Sequence, residues 1–234
     1  EAAVSVASSS TVSGGANVTQ STVGSDGSAT SSGAVLVGTD GGDAALTGDA
    51  DDNVIDGLAG ADTITGGEGA DTLTGGSGVD TFVSNDGDGV AATGSTEGTT
   101  VGDDTSTSNN GVLQFGDGVD TITDFNVQDD KIEFGGNSFD ATTFQSSATG
   151  TFAVASDGNV KLLNNAGDTP SDGTEKFFFA PGNYDGNADT FTIGSDAGDN
   201  FAFFQVDQPV TPTDGEIDVT GIQDIGIVTN DALA

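Results

Sequence analysis

Four oxygen-bearing side chains recur at intervals of nine: Asn53, Asp62, Asp71 and Asp80. Each stands five residues after a glycine (Gly48, Gly57, Gly66, Gly75) and two before an apolar residue (Ile55, Ile64, Leu73, Phe82). Gly60, Gly69 and Gly78 precede the three aspartates by two positions. Glycines reach backbone angles closed to residues with a Cβ, so such a turn curls tightly and aims its carbonyl oxygens into one small space. The acid adds a carboxylate. Two turns facing one another offer about six oxygens, which suits Ca²⁺ at about 2.3–2.6 Å. Mg²⁺ fits less well because it gives up its waters reluctantly. The chemistry is the capture of a hard cation.

The rest of the composition narrows the choice. The chain has 234 residues with 38 Asp and Glu against three lysines and no arginine, a net charge of −35. Nucleic acid and anionic membrane carry the same sign, so neither is an expected partner. With no His and no Cys, a Ser-His-Asp triad, a Cys nucleophile, His- or thiolate-held zinc, and disulfides are all excluded. Leu, Ile, Val and Phe make up about 22 % of the residues, barely above the level of about 20 % below which a highly charged chain is expected to stay disordered. Something must neutralise the carboxylates before this polypeptide can pack. No stretch approaches the roughly 20 apolar residues of a membrane-spanning helix, so membrane insertion is not expected.

Turns need elements to hold them. From Gly48 the chain repeats as a six-residue turn and a three-residue strand whose middle residue points inward. Two copies, from Gly66 and Gly75, fit G-G-x-G-x-D-x-U-x (U apolar) at every fixed position. Ahead of them, Gly38 to Leu46, with Asp43, carries the same theme with one extra residue. Residues 1–36 are rich in Ser, Thr and Val and read as a linker or a strand-forming arm; residues 37–89 form the repeat region; residues 90–110 read as an acidic loop. Residues 111–234 hold 13 of the 14 phenylalanines and short alternating segments without helical period. They are expected to form a Phe-rich β domain ending in a secretion or assembly segment. Ser156-Asp157-Gly158-Asn159 reads as a hairpin turn.

The nonapeptides resemble the RTX (repeats-in-toxin) family. That resemblance implies an all-β chain: a parallel β-roll followed by a mostly antiparallel β domain. In such a roll successive turns lie on opposite edges, and calcium sits between turns 18 residues apart. Carried over, Asp62 shares an ion with Asp80, and Asn53 with Asp71, with Gly60, Gly69 and Gly78 in the same turns. Asp62 also faces the loop around Asp43, and Asp71 the loop from Ser84 to Gly89. In those outer loops the counted sixth position falls on Ala44 and Gly89. Leu58 and Asp51 stand where the pattern has glycine. Two complete sites and one or two incomplete ones are expected. Gly118 to Phe125, continuing to Ile132, is similar to the segment that closes many RTX rolls, which implies calcium ligation by Asp124 and Asp120.

An EF-hand is excluded at Asp86 to Glu97, because Val90 and Ala91 occupy positions that need an oxygen ligand and a glycine. No glycine turn is followed by the Lys-Ser/Thr of a phosphate loop. The resemblance implies type I secretion to the cell exterior, and the few-charge tail through Ile227 and Val228 to Ala234 is compatible with an uncleaved C-terminal signal. The expected role is non-enzymatic: a calcium-dependent structural protein that self-assembles into a surface layer or filament, its Val-rich or Phe-rich strands pairing between copies. Its partners would be copies of itself, with a cell-surface polysaccharide as a candidate anchor. The alternative is the calcium-folding and secretion module of a larger exoenzyme, toxin or adhesin.

Overall fold

The structure is a computed structural model describing residues 28–30, 35–85, 88, 92–95, 112–115, 119–134, 136–140, 152–155, 160–162, 175–188, 190–193, 200–206 and 222–229. These residues contain strands and turns and no helix. The expected strand at Glu216–Val219, the turn at 156–159 and most of the arm before residue 28 lie outside them.

The repeats begin the fold. In chain order the strands are β1 (Ser28–Thr30), β2 (Val35–Val37), β3 (Ala45–Thr47), β4 (Val54–Asp56), β5 (Ala59–Gly60), β6 (Thr63–Thr65), β7 (Thr72–Thr74), β8 (Ser77–Gly78) and β9 (Thr81–Ser84). One sheet stacks β2, β4 and β7 in parallel, and the facing sheet stacks β1, β3, β6 and β9. Nine residues make one turn and one strand, so the chain crosses between sheets at every repeat and returns to the same sheet after 18. Side chains alternate along a strand. The middle residue of each therefore points between the sheets, and Leu36, Leu46, Ile55, Ile64, Leu73 and Phe82 are all buried.

One large apolar side chain per nine residues is sparse. Ordering each residue's backbone costs about 1–2 kcal/mol, while burying a Leu or Ile contributes about 1.5–3 kcal/mol. Ladder hydrogen bonds alone add modestly. The roll depends on more than its core.

After Ser84 the chain leaves the roll to form β10 (Ala92–Ser95) and β11 (Val112–Phe115), an antiparallel pair. It then re-enters as β12 (Asp120–Ile122), parallel to β7, and β13 (Lys131–Phe134), parallel to β9. A further coil is thus added after a long insertion, and the parallel ladders do not end at residue 89 as the sequence division had them. Strand β10 also lies within the stretch expected to be loop, and β1 pairs with β3 of its own chain.

The remaining strands are β14 (Asn137–Phe139), β15 (Phe152–Ala155), β16 (Val160–Leu162), β17 (Glu175–Asp185), β18 (Thr190–Ile193), β19 (Asn200–Val206) and β20 (Ile222–Val228). Apart from the β12–β20 pairing they associate antiparallel. Strand β20 lies between β19 and β12, so the Phe-rich sheet is a continuation of one roll sheet.

That sheet is apolar on both faces. Phe177, Phe179, Phe201, Phe203 and Val228 join Phe82, Phe125, Phe134 and the roll leucines and isoleucines in one core. Ring contacts run from repeat to sheet, Phe82 to Phe125 at 6.1 Å and Phe125 to Phe201 at 6.0 Å. Residues of opposite parity, Ala202, Phe204, Ile225 and Ile227, are equally buried. Their face is shared by Phe191 and Leu113, which pair across β18 and β11, and β10 lies against β20. The inserted strands thus contribute to a second core. Every phenylalanine whose side chain is described is buried. Pairing of Phe-rich surfaces between copies, the expectation from sequence, has no exposed described phenylalanine to use. Among the described residues, the exposed large apolar side chains are Val54 and Val79.

Candidate metal centre

Each turn ends in a buried polar residue. Asp43, Asn53, Asp62, Asp71 and Asp80 are each about 1 % exposed, and Asp120 and Asp130 are each 4 % exposed. Hydrogen bonds order them into two ladders, one along each edge of the roll. On the first edge the N–H of Asp43 donates to Asp62 Oδ1 at 2.7 Å, that of Asp62 to Asp80 Oδ1 at 2.9 Å, and that of Asp80 to Asp130 Oδ1 at 2.8 Å. On the second, the N–H of Asn53 donates to Asp71 Oδ1 at 2.7 Å and that of Asp71 to Asp120 Oδ1 at 3.1 Å.

The ladders correct two assignments. The sixth position of the first loop is filled by Asp43 and not by Ala44, because the extra residue falls between Asp43 and Leu46: Asp43 meets Asp62, 19 residues on, while Leu46 pairs with Ile64, 18 residues on. The rung beyond Asp71 is filled by Asp120 and not by Gly89, because the chain departs into the insertion before it returns to that edge.

Glycine is required where turns stack. A Cβ on Gly57 would lie 2.6 Å from Asp62 Oδ2, and one on Gly75 2.5 Å from Asp80 Oδ2: each carboxylate folds back over the start of its own turn. Gly60 and Gly78 pair with one another across β5 and β8. Gly78 has a φ of +151°, and a Cβ there would overlap the Gly60 carbonyl oxygen. Gly69 lies against the backbone of Asp51 and Asp52. The sequence-expected residues are therefore brought together turn upon turn. Leu58, which replaces a glycine, is held at φ +73°.

Burial takes these acids out of water. Burial is the main cause that raises the carboxyls of Asp62, Asp71, Asp80, Asp120 and Asp130 above the ordinary range. Asp71 and Asp130 are each pushed up to about 6. Neighbouring acids add to this: Asp80 and Asp43 act on Asp62, and Asp71 on Asp120. The Oδ2 atoms of Asp62 and Asp71 are buried without a hydrogen-bond partner. An unsatisfied buried carboxylate oxygen is costly, and a hard cation removes that cost. The donor set, carboxylate and carbonyl oxygen without nitrogen or sulfur, fits calcium.

Among the described residues no three acidic side chains converge on one point, so turn carbonyls would complete any coordination shell. Two positions are already partly satisfied. Asn53 turns its amide donor on the Asp51 carbonyl. Asp124, expected as a ligand, accepts the N–H groups of Gly75 at 2.8 Å and Gly76 at 2.6 Å. It caps the turn ending in Asp80. Asp130 went unrecognised as a site residue, although the pattern acid–x–apolar in Asp130-Lys131-Ile132 repeats that of Asp71-Thr72-Leu73.

A parallel roll with oxygen-rich, glycine-stacked edges is a calcium-binding repeat architecture. Residues 37–73, 47–82 and 56–90 match the family described as RTX calcium-binding nonapeptide repeat (4 copies), and this chain carries such repeats. The overlapping matches advance by ten and then nine residues, in step with the extra residue of the first loop. Repeats of this family bind Ca²⁺ and are typical of extracellular proteins exported by type I secretion. No curated protein matches the chain.

Proposed function

We propose that this chain is an extracellular, non-catalytic structural protein that calcium folds and that then assembles with copies of itself into a layer or filament. The observation that carries the calcium dependence is the pair of carboxylate ladders, with Asp62 and Asp71 each presenting an orphan buried oxygen. Asp62 with Asp80, and Asp71 with its neighbours on the second edge, would hold the ions together with turn carbonyls. When bound, calcium supplies positive charge where the turns stack.

Assembly follows from charge. At −35 the subunits repel one another, and bound divalent cations reduce that repulsion. Contacts between copies would involve the exposed Val54 and Val79 of the roll, since the described phenylalanines are consumed internally. The composition has none of the His, Cys or Arg on which common catalytic sites rely.

Negative-stain electron microscopy of the secreted material, with calcium and after EGTA, tests this. Ordered arrays that disperse on chelation are expected. Arrays that persist in EGTA, or a native chain far heavier than 22.9 kDa with a catalytic domain attached, would overturn it.

A further inference from the structure

The repeats leave one end of the roll open. Strand β2 ends one sheet there and β1 ends the facing sheet, and among the described residues neither has a neighbour on its outer side. The far ends of the same sheets, β10 and β14, are antiparallel strands added by the rest of the chain. The core itself is closed at the open end, since Leu36 and Leu46 are fully buried. What stays open is backbone. The N–H of Gly38 donates to the Asp56 carbonyl beside β4. Successive residues of a strand point their N–H and C=O to alternate sides, so Leu36 also faces β4, and the N–H and C=O of Val35 and Val37 face outward.

Nothing blunts this edge. Exposed edge strands are ordinarily protected by Lys, Pro or another charge, and Gly33-Ala34-Val35-Leu36-Val37-Gly38-Thr39 contains none of these. Charge selects the same end. Residues 1–39 hold only two acids, Glu1 and Asp26, so 36 of the 38 lie further along the chain. Two copies of a polyanion approach where the field between them is weakest. The outward side chains are apolar as well: Val35 and Val37 are half-buried, and Val35 is in register with Val54, one of the exposed valines.

We infer that the open end of the roll binds a second copy of this chain end to end, with β2 antiparallel to the same strand of the copy about a two-fold axis. This rests on the reading that copies associate, and it names the surface through which they do so. Leu36 then lies opposite its own counterpart, and Val35 of each copy exchanges N–H and C=O with Val37 of the other. The same axis, running from sheet to sheet, sets β1 against its counterpart. Val35, Val37 and Val54 of both copies join into one apolar strip. The acid closest to the contact on that face is Asp56, in register with Val37. It lies three strand spacings, about 14 Å, from its counterpart, beyond the screening length of about 8 Å at physiological salt. Asp40, in the loop after β2, meets the start of the copy's strand, where residues 27–34 are uncharged. A two-fold contact closes on itself, so the pair is the unit from which any larger array grows by other contacts.

Sedimentation velocity of the full chain in calcium, over a dilution series, reads the association directly. The wild type should pass through a species of twice 22.9 kDa. Val35→Glu brings two like charges to the contact and should raise the concentration of half-association about ten-fold or more. Val35→Pro removes an outward N–H and no bond to β4, a place where an edge strand tolerates proline, and should weaken the pair similarly. Val79→Glu, away from the open end, should leave the pair intact. The chain has no cysteine, so register can be tested too. Residues exchanging both bonds have Cα atoms about 5.5 Å apart, within disulfide reach. Oxidising a mixture of Val35→Cys and Val37→Cys chains should give a covalent pair in higher yield than either variant alone.

A wild type that stays at 22.9 kDa throughout, or association that neither Val35 substitution weakens, overturns the inference. If the circular dichroism of both Val35 variants in calcium shows that they have not folded, the mixed disulfide decides: without it, β2 does not meet β2, and a head-to-tail contact or none takes its place. Arrays of Val35→Glu as ordered as those of the wild type would refute this contact and leave the assembly reading standing. A wild-type pair that forms no array would do the reverse.

Discussion

Asp80 Oδ1 accepts the backbone N–H of Asp62 at 2.9 Å, so each acid on that edge is oriented by the coil before it. The same side chain cannot also neutralise its neighbour. Asp62 keeps a buried Oδ2 with no partner, and the charge of Asp80 pushes its carboxyl further in the direction that burial already sets. The ladder that aligns the turns thus also loads them with uncompensated charge, and calcium has a place to act.

Calcium should therefore decide whether the roll exists. At a Kd of about 10⁻⁴ M, in the range of extracellular calcium modules, calcium at 100 times Kd adds about 2.7 kcal/mol per site. Three sites give about 8 kcal/mol, comparable to the net stability of about 5–15 kcal/mol of an ordinary domain. Far-ultraviolet circular dichroism in EGTA should show a largely unfolded chain that gains β structure on addition of calcium. Identical spectra in both conditions would contradict this.

In calcium-free buffer, acid should stabilise the folded form. Asp71 and Asp130 are raised to about 6 in the fold, against about 3.9 for an unfolded Asp. The folded state thus binds more protons between about pH 4 and 6, and its stability falls as pH rises through that window. Asp62, Asp80 and Asp120 shift in the same direction. With saturating calcium the trend reverses, because ion binding requires the deprotonated carboxylates. The β signal in circular dichroism at several pH values in EGTA, and urea unfolding midpoints at the same pH values in excess calcium, would reveal both trends; trends of the same sign would argue against ions at these acids.

Gly78→Ala should be among the most damaging small substitutions in the repeats. Its φ of +151° lies in a region that other residues rarely adopt, and its Cβ would strike the Gly60 carbonyl. Backbone strain alone costs about 1–3 kcal/mol, and the clash adds to it. Thermal denaturation in calcium should show a clear loss of stability. A melting curve like that of the wild type would mean that the turns do not stack this closely.

The opposite change is expected at Leu58, a half-buried non-glycine residue at φ +73°. Glycine holds the same positive φ without the Cβ strain of about 1–2 kcal/mol, and its extra chain entropy offsets about 0.5–1 kcal/mol. Leu58→Gly should be stabilising by up to about 1.5 kcal/mol in denaturant titrations, and it should tighten calcium binding at the Asp62 turn.

Phe203 joins sheet to roll, its ring 5.3 Å from that of Phe134. Phe203→Ala should cost about 3–5 kcal/mol and weaken the repeats as well as its own sheet. Two separate unfolding transitions, with the repeat transition unmoved, would show that the halves are energetically independent.

Much of this was written in short-range pattern. The period of nine, the inward Ile55, Ile64, Leu73 and Phe82, and the strands at 121–123, 131–134, 190–193 and 201–204 all follow from local alternation. The grouping of Asp62 with Asp80 and of Asn53 with Asp71 is what the resemblance to RTX repeats implies, and the 18-residue coil places each pair on one rung. Strand β17 escaped notice: Phe177, Phe178 and Phe179 give no alternation, since the sheet around them is apolar on both sides.

What sequence determined alone is the chemistry: oxygen donors only, spaced so that glycine turns present them to one another. Tertiary structure decided which acids share a rung when spacing fails. Asp120 and Asp130 stand 49 and 50 residues from their partners, a separation that no local period encodes. Only the parallel pairing of β12 with β7 and β13 with β9 returns them to the edges. The hydrogen bonds of Asp124 are likewise a tertiary matter, because the N–H groups of Gly75 and Gly76 become its neighbours only when the next coil closes over their turn.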